Sequence, residues 1–90
     1  MKLREHSAWP PSWTPFFGPR VAVSGEVGIL NDIRLSTITG TRCIIVIGHL
    51  GTSYFGELSF DDDALCRRVV DFLNSHCGKS IAQIANLDIS

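Results

Sequence analysis

The chain has little of what usually identifies a function from sequence. Its 90 residues include eight basic and nine acidic side chains, for a net charge of -1. A protein that binds phosphate groups usually carries a basic excess, so we expect no nucleic-acid partner. The longest apolar run covers residues 44–47, far short of the ~20 residues that a membrane span needs. We therefore expect no membrane association.

Cysteine is scarce as well. Cys43, Cys66 and Cys77 are the three cysteines of the chain, and an odd number leaves one unpaired in any disulfide scheme. The first residues show no apolar segment of the kind that export signals contain. This combination predicts reduced thiols in a cytosolic protein.

Motifs for cofactors, metals and catalysis are incomplete. Gly78-Lys79-Ser80 resembles the end of a phosphate-binding loop, but Leu73 stands where that loop has its first glycine. No CxxC, HxxxH or HExxH spacing occurs, so we expect no metal and no cofactor. A nucleophilic site would have to combine Cys77 with His76 or His49. We favour a structural role for Cys77, as a small buried side chain at a helix end, and assign no catalytic residue.

An unusual composition appears in residues 8–19, which contain all four prolines and four of the eight aromatic residues. Proline fixes φ and lacks a hydrogen-bond donor, so this stretch is expected to be extended and neither helix nor central strand. We predict that residues 1–19 form an arm that packs on the domain, because a sheet this small needs additional cover. The alternative is a segment offered to another protein. The candidate partner-binding residues are Trp9, Trp13, Phe16 and Phe17.

Apolar residues alternate with period two over much of residues 20–60, which predicts four strands joined by short turns. The predicted strands cover residues 20–24, 27–36, 42–49 and 52–60. Asn31 interrupts the apolar face of the second strand and indicates a bulge. The third strand is apolar on both faces, which is typical of an interior strand. We expect a helix to cover one of its faces and Val46 to lie in the core.

Residues 61–77 repeat apolar side chains at helical spacing and end before Gly78, a typical helix terminator. Ser59 in a capping box, or Asp61 directly, is the expected N-terminal cap. A second, short helix is predicted for residues 80–85. The apolar stripe of the long helix consists of Leu65, Cys66, Val69, Val70, Phe72, Leu73, His76 and Cys77.

Together these patterns predict a single α+β domain over residues 20–90. Its sheet is a four-stranded antiparallel meander, with a small curled barrel as the alternative form, followed by one long and one short helix. We expect a small non-catalytic protein-interaction or adaptor module in the cytoplasm, whose protein partner can be another copy of the chain. The alternative is a small enzyme or ligand-binding protein with a His/Cys pocket between helix and sheet, built on His49, His76 or Cys77.

Overall fold

The strands form one open antiparallel sheet. In a computed structural model of the chain, which describes residues 1–18, 21–36, 38 and 40–89, the strands are β1 (Thr14–Pro15), β2 (Ile29–Leu35), β3 (Arg42–His49) and β4 (Thr52–Ser59). Their order is β1-β4-β3-β2, and all neighbours are antiparallel. The predicted α+β architecture is confirmed. The outer strands β1 and β2 do not pair within the described residues, so the alternative of a curled barrel is wrong.

Two local features set the register of the sheet. Strands β3 and β4 are joined by Leu50 and Gly51, whose φ angles of 51° and 77° suit a tight hairpin turn. The bulge predicted at Asn31 is present, because the register of β2 against β3 shifts directly after Leu30. The extra residue brings Leu30 and Ile33 onto the same face of the sheet, and both are buried.

The fourth strand comes from a different segment than the sequence pattern indicates. We predicted a strand over residues 20–24, of which residue 20 lies outside the described residues. In this segment Val23 forms an isolated bridge with Trp13. The edge position beside β4 is occupied by Thr14–Pro15, and the pairing continues to Phe16, whose N–H donates to the Ser53 carbonyl at 3.2 Å. Proline lacks the donor that an interior strand needs, and an edge tolerates that loss.

The long helix, α1, spans Asp63–Asn74. Its N-terminal cap is Asp62 rather than Ser59 or Asp61, and the Asp62 carboxylate accepts a hydrogen bond from the Ala64 N–H at 3.0 Å. The helix ends before the predicted residue 77, because the chain turns after residue 74 to reach the edge of the sheet.

The short helix, α2, spans Ile81–Ala85 as predicted, with Ser80 as its N-terminal cap. The segment before it lies along the outer edge of β2. There the Gly78 N–H donates to the Leu30 carbonyl at 2.8 Å, and Ser80 forms a bridge with Ile29. These contacts hold the C-terminal part of the chain against the first residues of β2.

The hydrophobic core lies between α1 and one face of the sheet. Ile45 faces this core, and Val69 and Leu73 of the helix are fully buried as predicted. Ile44 and Val46 project to the opposite face and keep part of their surface exposed. The prediction that Val46 lies in the core is therefore wrong, because the chain supplies helical cover to one face of β3 only. The fully buried large side chains are Trp13, Leu3, Leu30, Ile45, Ile47, Leu58, Leu73, Ile81, Ile84, Val69, Cys43 and Cys66.

The first residues pack against the last ones. Lys2 forms a bridge with Asp88, and Leu3 is fully buried. The Arg4 guanidinium lies 2.5 Å from the Glu26 carboxylate, and this hydrogen bond keeps the pKa of Glu26 below its usual range. The start of the chain is thus fixed on the core side of the sheet.

Candidate functional site

One face of the sheet is left without a helix in the described part of the chain. Residues directly opposite one another in antiparallel strands project to the same side. The pairs Asp32↔Val46 and Val46↔Phe55 therefore share a face, opposite the one to which Ile45 contributes. We call this surface the open face. The side chains that the strands place on it are Thr14, Ile29, Asp32, Arg34, Arg42, Ile44, Val46, Ser53, Phe55, Glu57 and Ser59.

The centre of the open face is apolar. An antiparallel sheet with one solvated face usually alternates apolar and polar residues, but β3 places Ile44 and Val46 here. Ile44 is 36% exposed, and Ile29 on β2 is 43% exposed. Phe16, which follows β1, packs its ring against Phe55 with a centroid separation of 5.0 Å. The face therefore exposes apolar surface that this chain leaves incompletely covered.

A furrow runs across this apolar centre. Its volume is about 370 Å³, and it is lined by Phe16, Asp32, Arg34, Ile44 and Val46. The two β3 side chains lie between the β2 residues and the aromatic ring, since β3 is flanked by β2 on one side and β4 on the other. We call this depression the furrow. Its lining suits an apolar side chain from outside the chain.

The charged residues of the open face are paired with one another. Arg34 Nε lies 3.1 Å from Asp32 Oδ2, and Arg42 Nη1 lies 3.1 Å from Glu57 Oε1. The hydrogen bond from Arg34, together with one from the Ile33 N–H, holds the pKa of Asp32 below its usual value. These four side chains carry no net charge, so a molecule that covers the open face meets no uncompensated charge from them.

The edge of the sheet next to this face is protected. The Ile33 N–H donates to Asp32 Oδ1 at 2.8 Å, and the Leu30 N–H donates to the Lys79 carbonyl at 2.9 Å. A bulge and charged side chains on an edge strand are common protections against pairing with another strand. The open face, rather than the edge of β2, is therefore the candidate functional surface.

The structure separates the four aromatic residues that the sequence singled out. Trp13 is fully buried, and its Nε1–H donates to the Gly25 carbonyl at 2.8 Å. Trp9 is half-buried, packs edge-on against Trp13 with ring centroids 6.5 Å apart, and donates its Nε1–H to Glu26 at 2.8 Å. Both indoles are engaged within the chain.

The two phenylalanines are exposed. Phe16 is 46% exposed and Phe17 is 86% exposed. Both line a second groove, of about 590 Å³, that includes Val46 and Gly51 and lies at the β3–β4 turn. Leu50, in that turn, is 89% exposed. The phenylalanines therefore extend the apolar surface of the open face toward the hairpin.

Sequence reasoning missed Ile44 and Val46 as surface residues. Their apolar character indicated burial on both faces of β3, with a helix over one face and the arm of residues 1–19 as additional cover for the sheet. The number of predicted helices already indicated this exposure, because one long helix covers only one face of a four-stranded sheet. An interior strand that is apolar on both faces, in a chain with a single long helix, indicates an uncovered apolar face.

The residues of the alternative His/Cys pocket make separate contacts. His49 packs near Tyr54, with ring centroids 6.2 Å apart. The His76 ring lies 4.7 Å from that of Phe72, and the Lys79 ammonium donates to its Nδ1 at 3.0 Å. The structure does not place His49, His76 and Cys77 in one hydrogen-bonded set. No group of three or more His, Cys, Asp or Glu in the described residues is arranged to hold a metal ion.

The cysteines differ in exposure. Cys43 and Cys66 are buried, whereas Cys77 is exposed, contrary to the buried position that we predicted for it. The helix ends before residue 77, so this residue does not continue the buried stripe. Burial raises the pKa of the Cys43 thiol to about 12, with a smaller contribution from Cys66, and burial also raises the pKa of Cys66.

Thiol labelling should reproduce this difference. Because the thiolate is the reactive form, we expect iodoacetamide to modify Cys77 in the native chain and all three cysteines after unfolding in guanidinium chloride. Mass spectrometry of peptides from the two samples gives the labelled positions. Rapid native modification of Cys43 would contradict its burial against α1.

No helix in the described residues is long and apolar enough to cross a membrane. No protein-family model, curated protein or solved structure matches the chain. Function is therefore inferred from the open face itself.

Proposed function

We propose that the protein is a small non-catalytic interaction or adaptor module of the cytosol, and that it binds a protein partner through the open face. The observation that carries the proposal is an exposed apolar sheet face whose charges are already paired within the chain. The three free thiols support the reducing compartment.

The amount of exposed apolar surface supports this proposal. The fractional exposures of five large apolar residues add up to about three fully exposed residues. These five are Phe16, Phe17, Ile29, Ile44 and Leu50. At roughly 150–250 Å² for a large side chain, they present on the order of 500 Å². The largest apolar patch on a typical monomer has about this area and is often functional.

The character of the patch also fits protein recognition. Residues that dominate interface energies are often aromatic, and they lie in an apolar centre surrounded by polar groups. Here Phe16 and Phe17 are the aromatic elements, and the ion pairs Asp32–Arg34 and Arg42–Glu57 lie beside Ile44. The furrow adds a concave element, of which the Asp32–Arg34 pair forms one wall.

A comparative affinity capture tests the proposal. The tagged full chain, a Phe16→Ser/Phe17→Ser double variant and an Ile38→Ser control would each be incubated with extract from the cells that produce the protein. Ile38 is 92% exposed in the connection between β2 and β3, away from the furrow. We expect proteins that the wild type and the control retain to be lost, or reduced about tenfold or more, with the double variant.

Thermal unfolding of the three chains, followed by circular dichroism, shows whether a loss of captured proteins is caused by misfolding. If the captured proteins are the same for all three folded chains, the open face is not the binding surface and the proposal fails.

A further inference from the structure

We infer that the molecule covering the open face is a second copy of this chain. This inference rests on the proposed function, since it assumes that the face is an interaction surface. The two copies would pack with their open faces together, and each would insert Phe17 into the furrow of the other.

The chain carries both parts of this contact. Phe17 projects 86% of its surface into solvent, and the furrow of about 370 Å³ has an apolar floor of Ile44 and Val46. A cavity of roughly 150 Å³ already accommodates a benzene ring. A phenylalanine side chain therefore fits the furrow, with room for adjustment of Phe16 at its wall.

Charge is compatible with a like copy. A two-fold contact brings the same set of charged groups together from both copies, and those groups oppose the contact least where they are already paired. On the open face, Asp32 pairs with Arg34 and Arg42 pairs with Glu57, each at 3.1 Å within one chain. A second copy presents the same neutral arrangement, so stacking opposes no unpaired charges. A strongly acidic or basic partner would find no complementary charge there.

The apolar area matches what a symmetric dimer requires. A standard interface buries about 800 Å² on each partner, of which somewhat more than half is apolar. The apolar residues of the open face and the adjoining hairpin supply on the order of 500 Å² on each copy. A two-fold axis uses the same patch on both copies, so both Phe17 rings are inserted and both furrows are filled. No binding site is then left for a third copy. Two stacked sheets of this kind are a common packing arrangement.

Sedimentation velocity and light scattering, over about 1 μM to 1 mM protein, test the inference. We expect the wild type to approach twice the monomer mass within this range, and the association to persist at high salt because it contains no required inter-chain ion pair. Phe17→Ser should weaken association at least about tenfold, and Ile38→Ser should leave it unchanged. Phe17 is so exposed that its replacement should not disturb folding.

A mixing experiment tests the reciprocal insertion. Ile44→Trp should fill the furrow, so this variant retains the inserting ring but offers no space, whereas Phe17→Ser offers space but no ring. Each variant alone should associate at least about tenfold more weakly than the wild type. An equimolar mixture should form a heterodimer with one intact contact, detected by native mass spectrometry, since the two masses differ.

A wild type that remains monomeric up to about 1 mM overturns the inference. A dimer that both variants retain, or a mixture of folded variants that forms no heterodimer, also overturns it. The proposed function is tested separately by the affinity capture. If the chain is monomeric but loses captured proteins when Phe16 and Phe17 are replaced, the open face is still an interaction surface, and its partner is a different protein.

Discussion

Ile45→Asp should prevent folding, whereas Val46→Asp, one position further along the same strand, should leave the chain folded. Ile45 is fully buried against the core under α1, and no basic side chain is among the buried residues described. A buried unpaired carboxylate costs several kcal/mol, in addition to the ~1.5–3 kcal/mol of lost apolar burial. A 90-residue domain has little stability beyond that amount. At Val46 the new carboxylate would lie on the partly exposed open face, opposite Asp32 and in the furrow that Arg34 also lines, so it should cost some stability without preventing folding.

Circular dichroism and urea unfolding of the two variants provide the measurement. We expect no cooperative transition for Ile45→Asp and a cooperative one for Val46→Asp. The second variant also places a negative charge on the floor of the furrow, so it should abolish the proposed self-association while remaining folded. If Val46→Asp unfolds the chain and Ile45→Asp does not, the two faces of β3 have been exchanged.

Elements whose signals are local were predictable from the sequence. Strand β3 has the predicted bounds, because four consecutive β-branched residues, 44–47, between two turns leave little choice. The bulge at Asn31 followed from a single polar residue on an apolar face. The helix cap was misplaced by one to three residues, because Asp61, Asp62 and Ser59 can each accept a hydrogen bond at a helix start, and tertiary packing decides among them.

The edge strand was not predictable in the same way. Residues 20–24 have the better strand pattern, yet Thr14–Pro15 pairs with β4. Two side chains explain this choice: Trp13 fills the space over Gly56, and Pro11 lies beside it. Burial of an indole outweighs the weak strand preference of a few small residues. Sequence alone does not show where that space is.

The sequence singled out two residues of the candidate surface, Phe16 and Phe17, and missed Ile44 and Val46. Aromatic residues in the arm were singled out as partner-binding, and the structure exposes Phe16 and Phe17 while burying Trp13. Composition alone does not distinguish them, because all four occur in the same extended segment. Their exposure depends on the path of the arm over the sheet: Trp13 lies over Gly56, whereas Phe16 and Phe17 follow β1.

Trp13→Ala should destabilise the domain by about 3–5 kcal/mol, the usual cost of removing a buried tryptophan. The side chain is fully buried, and its Nε1–H donates to the Gly25 carbonyl at 2.8 Å. The loss would therefore leave a cavity and remove one of the two hydrogen bonds that the Gly25 carbonyl accepts, the other coming from the Val27 N–H at 3.0 Å. Phe17→Ala is the matched control from the same arm, and it should change the free energy of unfolding by less than about 0.5 kcal/mol in the monomer. Urea unfolding monitored by circular dichroism measures both. Equal costs for the two variants would contradict the described packing of the arm.

Gly56→Ala tests whether Trp13 packs against β4. A Cβ at Gly56 would lie 2.7 Å from Cε3 and Cζ3 of Trp13 and 2.9 Å from Cγ of Pro11, so either the indole or the strand would have to move. We expect the single variant to lose about 1–3 kcal/mol through overpacking. In the Trp13→Ala background the two contacts with the indole are gone and the contact with Pro11 remains, so the same methyl group should cost less by at least about 1 kcal/mol. A double-mutant cycle from the four urea unfolding curves gives this coupling. Additive costs would mean that Trp13 does not lie over Gly56, and that the extended arm is held on the sheet by other contacts.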